Sequence, residues 1–218
     1  MVSVRDLTDL ARDRRADLLR ASPRMFESNL LDRFSRVHPL MPLAFFMPII
    51  AVLGTYGIRR VGVEAGILWI LGGGFFWTFA EYWLHRTVFH FEPDHPLGRR
   101  LHFIIHGVHH DHPNDRMRLV MPPSASLPLA TGFLLLFRLT LGSHIWLAFG
   151  AGFLFGYLVY DMTHYHLHHH KPKTKFGRRL REQHMRHHFQ DHETGFGVSS
   201  PVWDRVFGTE PRRGSRAK

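Results

Sequence analysis

Ten of the nineteen histidines in this 218-residue chain fall into four short groups whose spacing suits metal ligation. They are His85 and His90; His106, His109 and His110; His164 and His168; and His184, His187 and His188. Imidazole is the commonest metal ligand at neutral pH and suits iron, zinc, copper and nickel, whereas an all-oxygen magnesium or calcium site is excluded by the ligand type. The sequence contains no cysteine, which removes thiolate sites, disulfides and cysteine nucleophiles. Ten ligands are too many for one ion. Shared between two ions they give five each and leave one position open on an octahedral metal, so a dimetal site is expected.

Residues three and four apart share a helix face, so HGVHH and HMRHH are each expected to aim three imidazoles at one point, with His164 and His168 as a two-imidazole version. His85 and His90 are separated by about 140° around a regular helix, and one of them needs a helix end or a distortion to join. The other nine histidines (His38, His95, His102, His112, His144, His166, His169, His170 and His192) have no place in this count. Metal-bound imidazoles usually donate their second ring N–H to a carboxylate or carbonyl. Asp161, Asp111 and Asp191, with Glu81 and Glu193, are the candidates for that role.

Four uncharged apolar blocks stand ready to position these groups, and expected membrane spans lie at about 40–58, 63–84, 122–140 and 143–162. A mean hydropathy of −0.15 hides them, because basic, histidine-rich stretches alternate with the apolar ones. Helix is expected from about Val63 to Phe89, and the third and fourth blocks read as a hairpin. Two short connections, 59–62 and 138–144, each join a pair of spans, so both termini and every histidine-rich segment fall on one side. Of the 28 Lys and Arg, 25 lie in residues 1–38, 85–121 and 164–218, which places that side in the cytoplasm. Arg59, Arg60 and Arg138 are mild exceptions. This distribution, rather than the net charge of +10 itself, argues against a nucleic-acid partner.

The expected fold is therefore all-α, an integral membrane four-helix bundle with a cytoplasmic helical cap holding a histidine-rich dimetal site. The expected organisation is an interfacial segment at 1–38 with an amphipathic helix and no signal peptide, a main domain at 39–209 and a basic tail at 210–218. Its histidine-rich cytoplasmic segments are 85–121 and 163–209. The competing arrangement is a soluble protein with four buried helices.

The segments HRTVFH from His85, LHFIIHGVHHDHPNDRMRLVMPP from Leu101, YDMTHYHLHH from Tyr160 and REQHMRHHFQDHETGFGVSSPVWDRVFGT from Arg181 resemble the fatty acid hydroxylase superfamily of membrane di-iron enzymes. The RLVMPP and WDRVFGT stretches, with the HYxxH pair, favour its fatty acid 2-hydroxylase branch. The similarity covers roughly residues 25 to 209. It implies that the ten histidines hold two iron ions, with zinc as a competing occupant in purified protein. With dioxygen as co-substrate, such a monooxygenase hydroxylates C2 of a fatty acyl chain, free or within a sphingolipid or other lipid.

Many eukaryotic 2-hydroxylases carry a cytochrome b5-like domain ahead of this region; none is seen here, so a separate electron donor, cytochrome b5-like or ferredoxin, is expected to dock on the basic face. Arg116 and Arg118 are candidates for a lipid headgroup. Tyr82, Trp83 and Tyr160, with Trp77, Phe79, Tyr157 and Trp203, are candidates for the acyl path or for interface anchors. The expected location is a multi-pass membrane protein, in the bacterial inner membrane, or the endoplasmic reticulum of a eukaryote. Two alternatives are a superfamily oxidase of a sterol, carotenoid or alkylglycerol, and a histidine-rich membrane metal-binding protein or transporter.

Overall fold

The computed structural model describes residues 4–211, with side chains from residue 11 onward. Among these residues all regular structure is helical and no strand occurs. Two helices open the chain, α1 (Val4–Arg20) and α2 (Asn29–Phe34), the latter capped by Ser28. The long apolar helices follow. α3 (Met41–Val61) turns directly into α4 (Val63–Trp83) at Gly62, whose φ of +86° is open to glycine at little cost. α4 then runs without a break into a π-helix, Leu84–Phe89, giving one rod of 27 residues and about 40 Å.

After α5 (Pro96–His102), a second π-helix at Phe103–Gly107 and the short α6 (Val108–Asp111), the chain re-enters the apolar region. There α7 (Pro123–Thr140) and α8 (Gly142–His169) form the expected hairpin. The 28-residue α8 is the central element and packs against α3, α4 and α7. Its inward face is small or apolar, with Ala148, Ala151, Phe153, Leu154 and Leu158 buried. A Cβ on Gly152 of α8 would meet the Ile70 carbonyl oxygen at 1.8 Å, and one on Gly73 of α4 the Phe149 carbonyl oxygen at 2.0 Å. The two backbones are in contact, and only glycine permits it.

Around this core the surface is apolar. Val52 and Tyr56 on α3, Leu68, Leu71 and Phe75 on α4, and Leu135 and Leu139 on α7 are all exposed. So continuous an apolar exterior suits lipid rather than water. Met41–Val61, Val63–Phe89 and Gly142–His169 are long and apolar enough to cross a membrane. α7 does not reach that level, because its first half carries Ser124, Ser126 and Pro128.

The remaining helices, α9 (Lys175–Phe189) and α10 (Val202–Val206), lie at the histidine end. Residues 18–37 strap onto 112–118 through Val37 N–H to the Met117 carbonyl (2.6 Å), Asn114 N–H to the Leu19 carbonyl (3.0 Å) and an Arg118–Asp32 ion pair (3.1 Å). Most of the basic tail expected at 210–218 lies outside the described residues.

Candidate metal centre

The awkward spacing of His85 and His90 is resolved by the π-helix between them. In a π-helix the bonds run between residues five apart, so such residues share a face. His90 N–H donates to the His85 carbonyl (3.3 Å), and the two Nε2 atoms lie 3.2 Å apart. The second π-helix, Phe103–Gly107, takes in His106 and Gly107, the first two residues of HGVHH.

The fold gathers the ten histidines into two groups of five. One comprises His85, His90, His106, His110 and His187; the other His109, His164, His168, His184 and His188. Within each group the nearest ring nitrogens all lie within 4.8 Å of one another. The expectation that each HxxHH triplet aims at one point is corrected here. Its first and last members, four apart, serve one group, while the middle one, rotated by about a quarter turn from the last, serves the other. Each triplet therefore straddles both groups and ties them together. The nine other histidines fall outside both groups; His112 donates from Nδ1 to the Leu18 carbonyl instead (2.6 Å).

The chemistry of the rings fits a cation. His85 Nδ1 lies 2.6 Å from the Phe196 carbonyl oxygen and His187 Nδ1 lies 2.7 Å from that of Thr194. A carbonyl accepts only, so each Nδ1 carries the proton, and in a neutral imidazole Nε2 is then a bare lone pair. His90 Nε2 sits 3.2 Å from one of these and 3.0 Å from the other, and a single N–H there can serve only one of them. In the second group His109 Nε2, His164 Nε2 and both ring nitrogens of His188 are buried without a hydrogen-bond partner.

The rings have little access to water: His187 is 0%, His184 1% and His85 2% exposed. Burial, with repulsion from neighbouring rings, pushes His90 down to about 3 and His110 down to about 2. Burial pushes His187 down to about 4, although its bond to Thr194 works against the shift. Burial likewise holds His106, His109, His184 and His188 well below the ordinary imidazole range. They are neutral at pH 7, the form that binds metal. Crowded lone pairs without protons or water are what a bound metal ion would satisfy, and five nitrogens suit iron, zinc or another imidazole-loving metal.

The carboxylates behave differently from expectation. Asp161 is buried but accepts from Met121 N–H (3.4 Å) and the Tyr157 hydroxyl (3.1 Å), not from a histidine. Asp111, Asp191 and Glu193 are exposed, and none forms a hydrogen bond to a grouped histidine. Two ring N–H groups, those of His85 and His187, go instead to the backbone carbonyls of Phe196 and Thr194, and Glu81 binds that same loop. Asp204, which holds the loop from the other side, was not singled out. Its only signal is its place in the WDRVFGT segment.

Beneath the histidines an apolar cavity opens between α4, α7 and α8, lined among others by Trp77, Leu129, Phe133, Leu154, Tyr157 and Tyr160. Two of its wall residues touch the metal centre. Phe89 stacks on His106 with ring centroids 5.5 Å apart, and Tyr160 packs on His164 at 5.7 Å. Of the aromatic residues singled out for the acyl path, Trp77, Tyr157 and Tyr160 line it. Tyr82 and Trp83 do not. They join Phe79, Trp203 and Phe207 in an aromatic cluster, with the Tyr82 hydroxyl bonded to Thr209 (3.1 Å) and Arg86 (2.8 Å). Arg118 is no headgroup ligand: its side chain is 2% exposed and bound to Asp32 and the Pro23 carbonyl. Arg116 is exposed.

Among the described residues, an all-helical bundle with three helices apolar enough to cross a membrane carries two all-histidine groups able to hold metal ions. Residues 70–209 match the family model for fatty acid hydroxylase. The chain is 36% identical over 185 residues to the ceramide very long chain fatty acid hydroxylase of Schizosaccharomyces pombe, covering 84% of this chain and 53% of that protein. It is 36% identical over 197 residues to a dihydroceramide fatty acyl 2-hydroxylase of Arabidopsis thaliana (90% and 83%), and 42% identical over 211 residues to fatty acid 2-hydroxylase of Mus musculus (85% and 56%). A solved structure described as full-length scs7p, with only the hydroxylase domain visible, superposes with a TM-score of 0.82 at 34% identity and covers 86% of this chain and 72% of that one. The chain belongs to the fatty acid hydroxylase family. It spans about half the length of the fission-yeast and mouse relatives.

Proposed function

We propose that this protein is a dioxygen-dependent monooxygenase that hydroxylates C2 of a fatty acyl chain in a sphingolipid or related lipid, with one iron in each five-histidine group. The observation that carries this is the convergence of ten imidazoles, eight buried and two half-buried, beside an apolar cavity between α4, α7 and α8. Family membership supports the reaction class, and the names of the relatives support the acyl chain of a ceramide as its target. When bound, the two irons supply the redox chemistry that breaks an unactivated C–H bond with dioxygen, which side chains alone cannot do.

The protein's residues supply the rest. The five histidines of each group would hold one ion. The apolar wall excludes water, while Tyr160 and Phe89, which touch His164 and His106, bound the space in which the chain's reacting end must lie beside both groups. Because the cavity descends between α4, α7 and α8, the tail lies along the bundle and the headgroup stays at the membrane boundary. α7 crosses beside α8 as the fourth span, despite its polar first turns, because its partner helices shelter Ser126.

The histidine end of the main domain at 39–209, formed by segments 85–121 and 163–209, is a cytoplasmic cap on the positive-inside pattern. Electrons arrive from an acidic carrier, cytochrome b5-like or ferredoxin-like, which meets the exposed basic run Lys171, Lys173, Lys175, Arg178 and Arg179. Expression in a host that lacks the activity, followed by lipid profiling, tests the reading. Accumulation of 2-hydroxy acyl lipids is expected, whereas an oxidised sterol, carotenoid or alkylglycerol would reassign the substrate.

A further inference from the structure

We propose, resting on that reading, that residues 194–199 form a positioning loop for one metal site only, clamped by two buried carboxylates, Glu81 and Asp204, so that the two sites hold their ions unequally. Between α9 and α10 the chain has no regular structure, yet Gly195 to Val198 are buried. Buried backbone N–H groups must find partners. Here four consecutive ones, from Phe196 to Ser199, all go to carboxylate oxygens.

Asp204 takes the first two. Its Oδ1 accepts from Phe196 N–H (2.9 Å) and the Thr209 hydroxyl (2.8 Å), and its Oδ2 from Gly197 N–H (2.8 Å) and Gln183 Nε2 (2.9 Å). Glu81 takes the next two, with Oε1 accepting from Val198 N–H (2.6 Å) and Ser199 N–H (2.7 Å), while the Ser199 hydroxyl donates to Oε2. The wrap needs Gly197, where a Cβ would lie 2.1 Å from the Ser200 carbonyl oxygen and 2.9 Å from Asp204.

With its N–H groups turned toward the carboxylates, the loop presents the carbonyls of Thr194 and Phe196 to His187 and His85. Both belong to the same five-histidine group. Among the described residues, none of the five histidines in the other group donates to a carbonyl. A carbonyl on Nδ1–H fixes tautomer and ring orientation and makes Nε2 a better donor, and loss of such a partner typically lowers metal affinity about 10–100-fold. One site is thus preset by a clamped loop. The other relies on packing of rings against rings.

The clamp also predicts which conservative changes are tolerated. In Glu81→Gln the amide oxygen still accepts both backbone N–H groups, and the amide N–H can donate to the Ser199 hydroxyl, which reverses its role. In Asp204→Asn each position already faces a backbone N–H, so the new amide group must confront a donor.

Titration of the metal-free full chain with Co²⁺ tests this. Wild type is expected to bind two ions with unequal affinity. Glu81→Ala and Asp204→Asn should weaken one site about 10–100-fold and leave the other unchanged, while Glu81→Gln stays near wild type. Ser199→Ala, which removes one bond and leaves both carboxylates, should weaken the same site by a smaller factor and serves if the others fail to fold. Equal weakening of both sites, no weakening, or equal behaviour of Glu81→Gln and Asp204→Asn would overturn the clamp. A wild-type protein that binds fewer than two ions would instead overturn the dimetal reading beneath it.

Discussion

Replacing Gly152 with alanine should empty the metal centre from a distance. A Cβ there falls short of ordinary contact with the Ile70 carbonyl by about 1.6 Å, and the obstacle is backbone, which cannot swing aside. α4 and α8 must therefore separate. Gly152 stands twelve residues before His164 on the same helix, about 18 Å along its axis. α8 carries His164 and His168, while α4 leads straight into His85 and His90.

Metal–ligand distances are held to about 0.2 Å. If even a quarter of the separation reaches the histidines, about 0.4 Å, it exceeds that tolerance twofold. Overpacking alone costs about 1–3 kcal/mol, so the variant should still fold with a lowered thermal midpoint. Elemental analysis of the purified variant should show less than half the wild-type metal per chain. Gly132→Ala, where a Cβ meets nothing within 4 Å, is the control and should keep full occupancy. Full metal content and an unchanged melting curve in Gly152→Ala would refute the reasoning.

Asp32 pins residues 18–37 to the cap, and the Met25 N–H, then Arg36 and Arg118, hold its carboxyl below the ordinary value of 3.8. Its contribution is complete above that value and is lost as pH falls through the lower folded one. Asp32→Asn should therefore loosen the strap already at neutral pH, seen as faster hydrogen exchange in residues 18–37, whereas wild type should loosen only in strong acid; equal exchange in the two proteins at pH 7 would contradict this. Ala130→Trp would fill part of the cavity wall. Metal content should stay, while products from the longest acyl chains fall relative to shorter ones; an unaltered chain-length profile would argue that the acyl chain lies elsewhere.

The apolar blocks were legible because membrane helices announce themselves by composition, and the α7–α8 hairpin and the long Val63–Phe89 rod follow the sequence pattern closely. The polar start of α7 shows the limit of that signal. The ten histidines stood out by type and spacing, but their partition did not. The partition follows from the turn of the helix, which sets the middle histidine of each HxxHH triplet about a quarter turn from the last, whereas the joining of His85 to His90 needs a π-helical turn that residue patterns do not reveal.

The supporting carboxylates were harder still. Asp111, at the end of α6, and Asp191, beyond the end of α9, are both exposed. Glu81 and Asp204 act through backbone that lies far away in sequence or carries no distinctive side chain. Arg118 stands in the sequence as a headgroup candidate, and its partner Asp32, 86 residues earlier, comes beside it only in the fold.

Mössbauer spectroscopy with metal analysis, on protein purified from iron-supplemented cells, tests the central claim most directly. Two irons per chain are expected, with His187→Ala and His109→Ala each weakening a different one. Wild-type protein that turns over with fewer than two irons, or both variants keeping two unaltered irons, would contradict the assignment of five histidines to each ion.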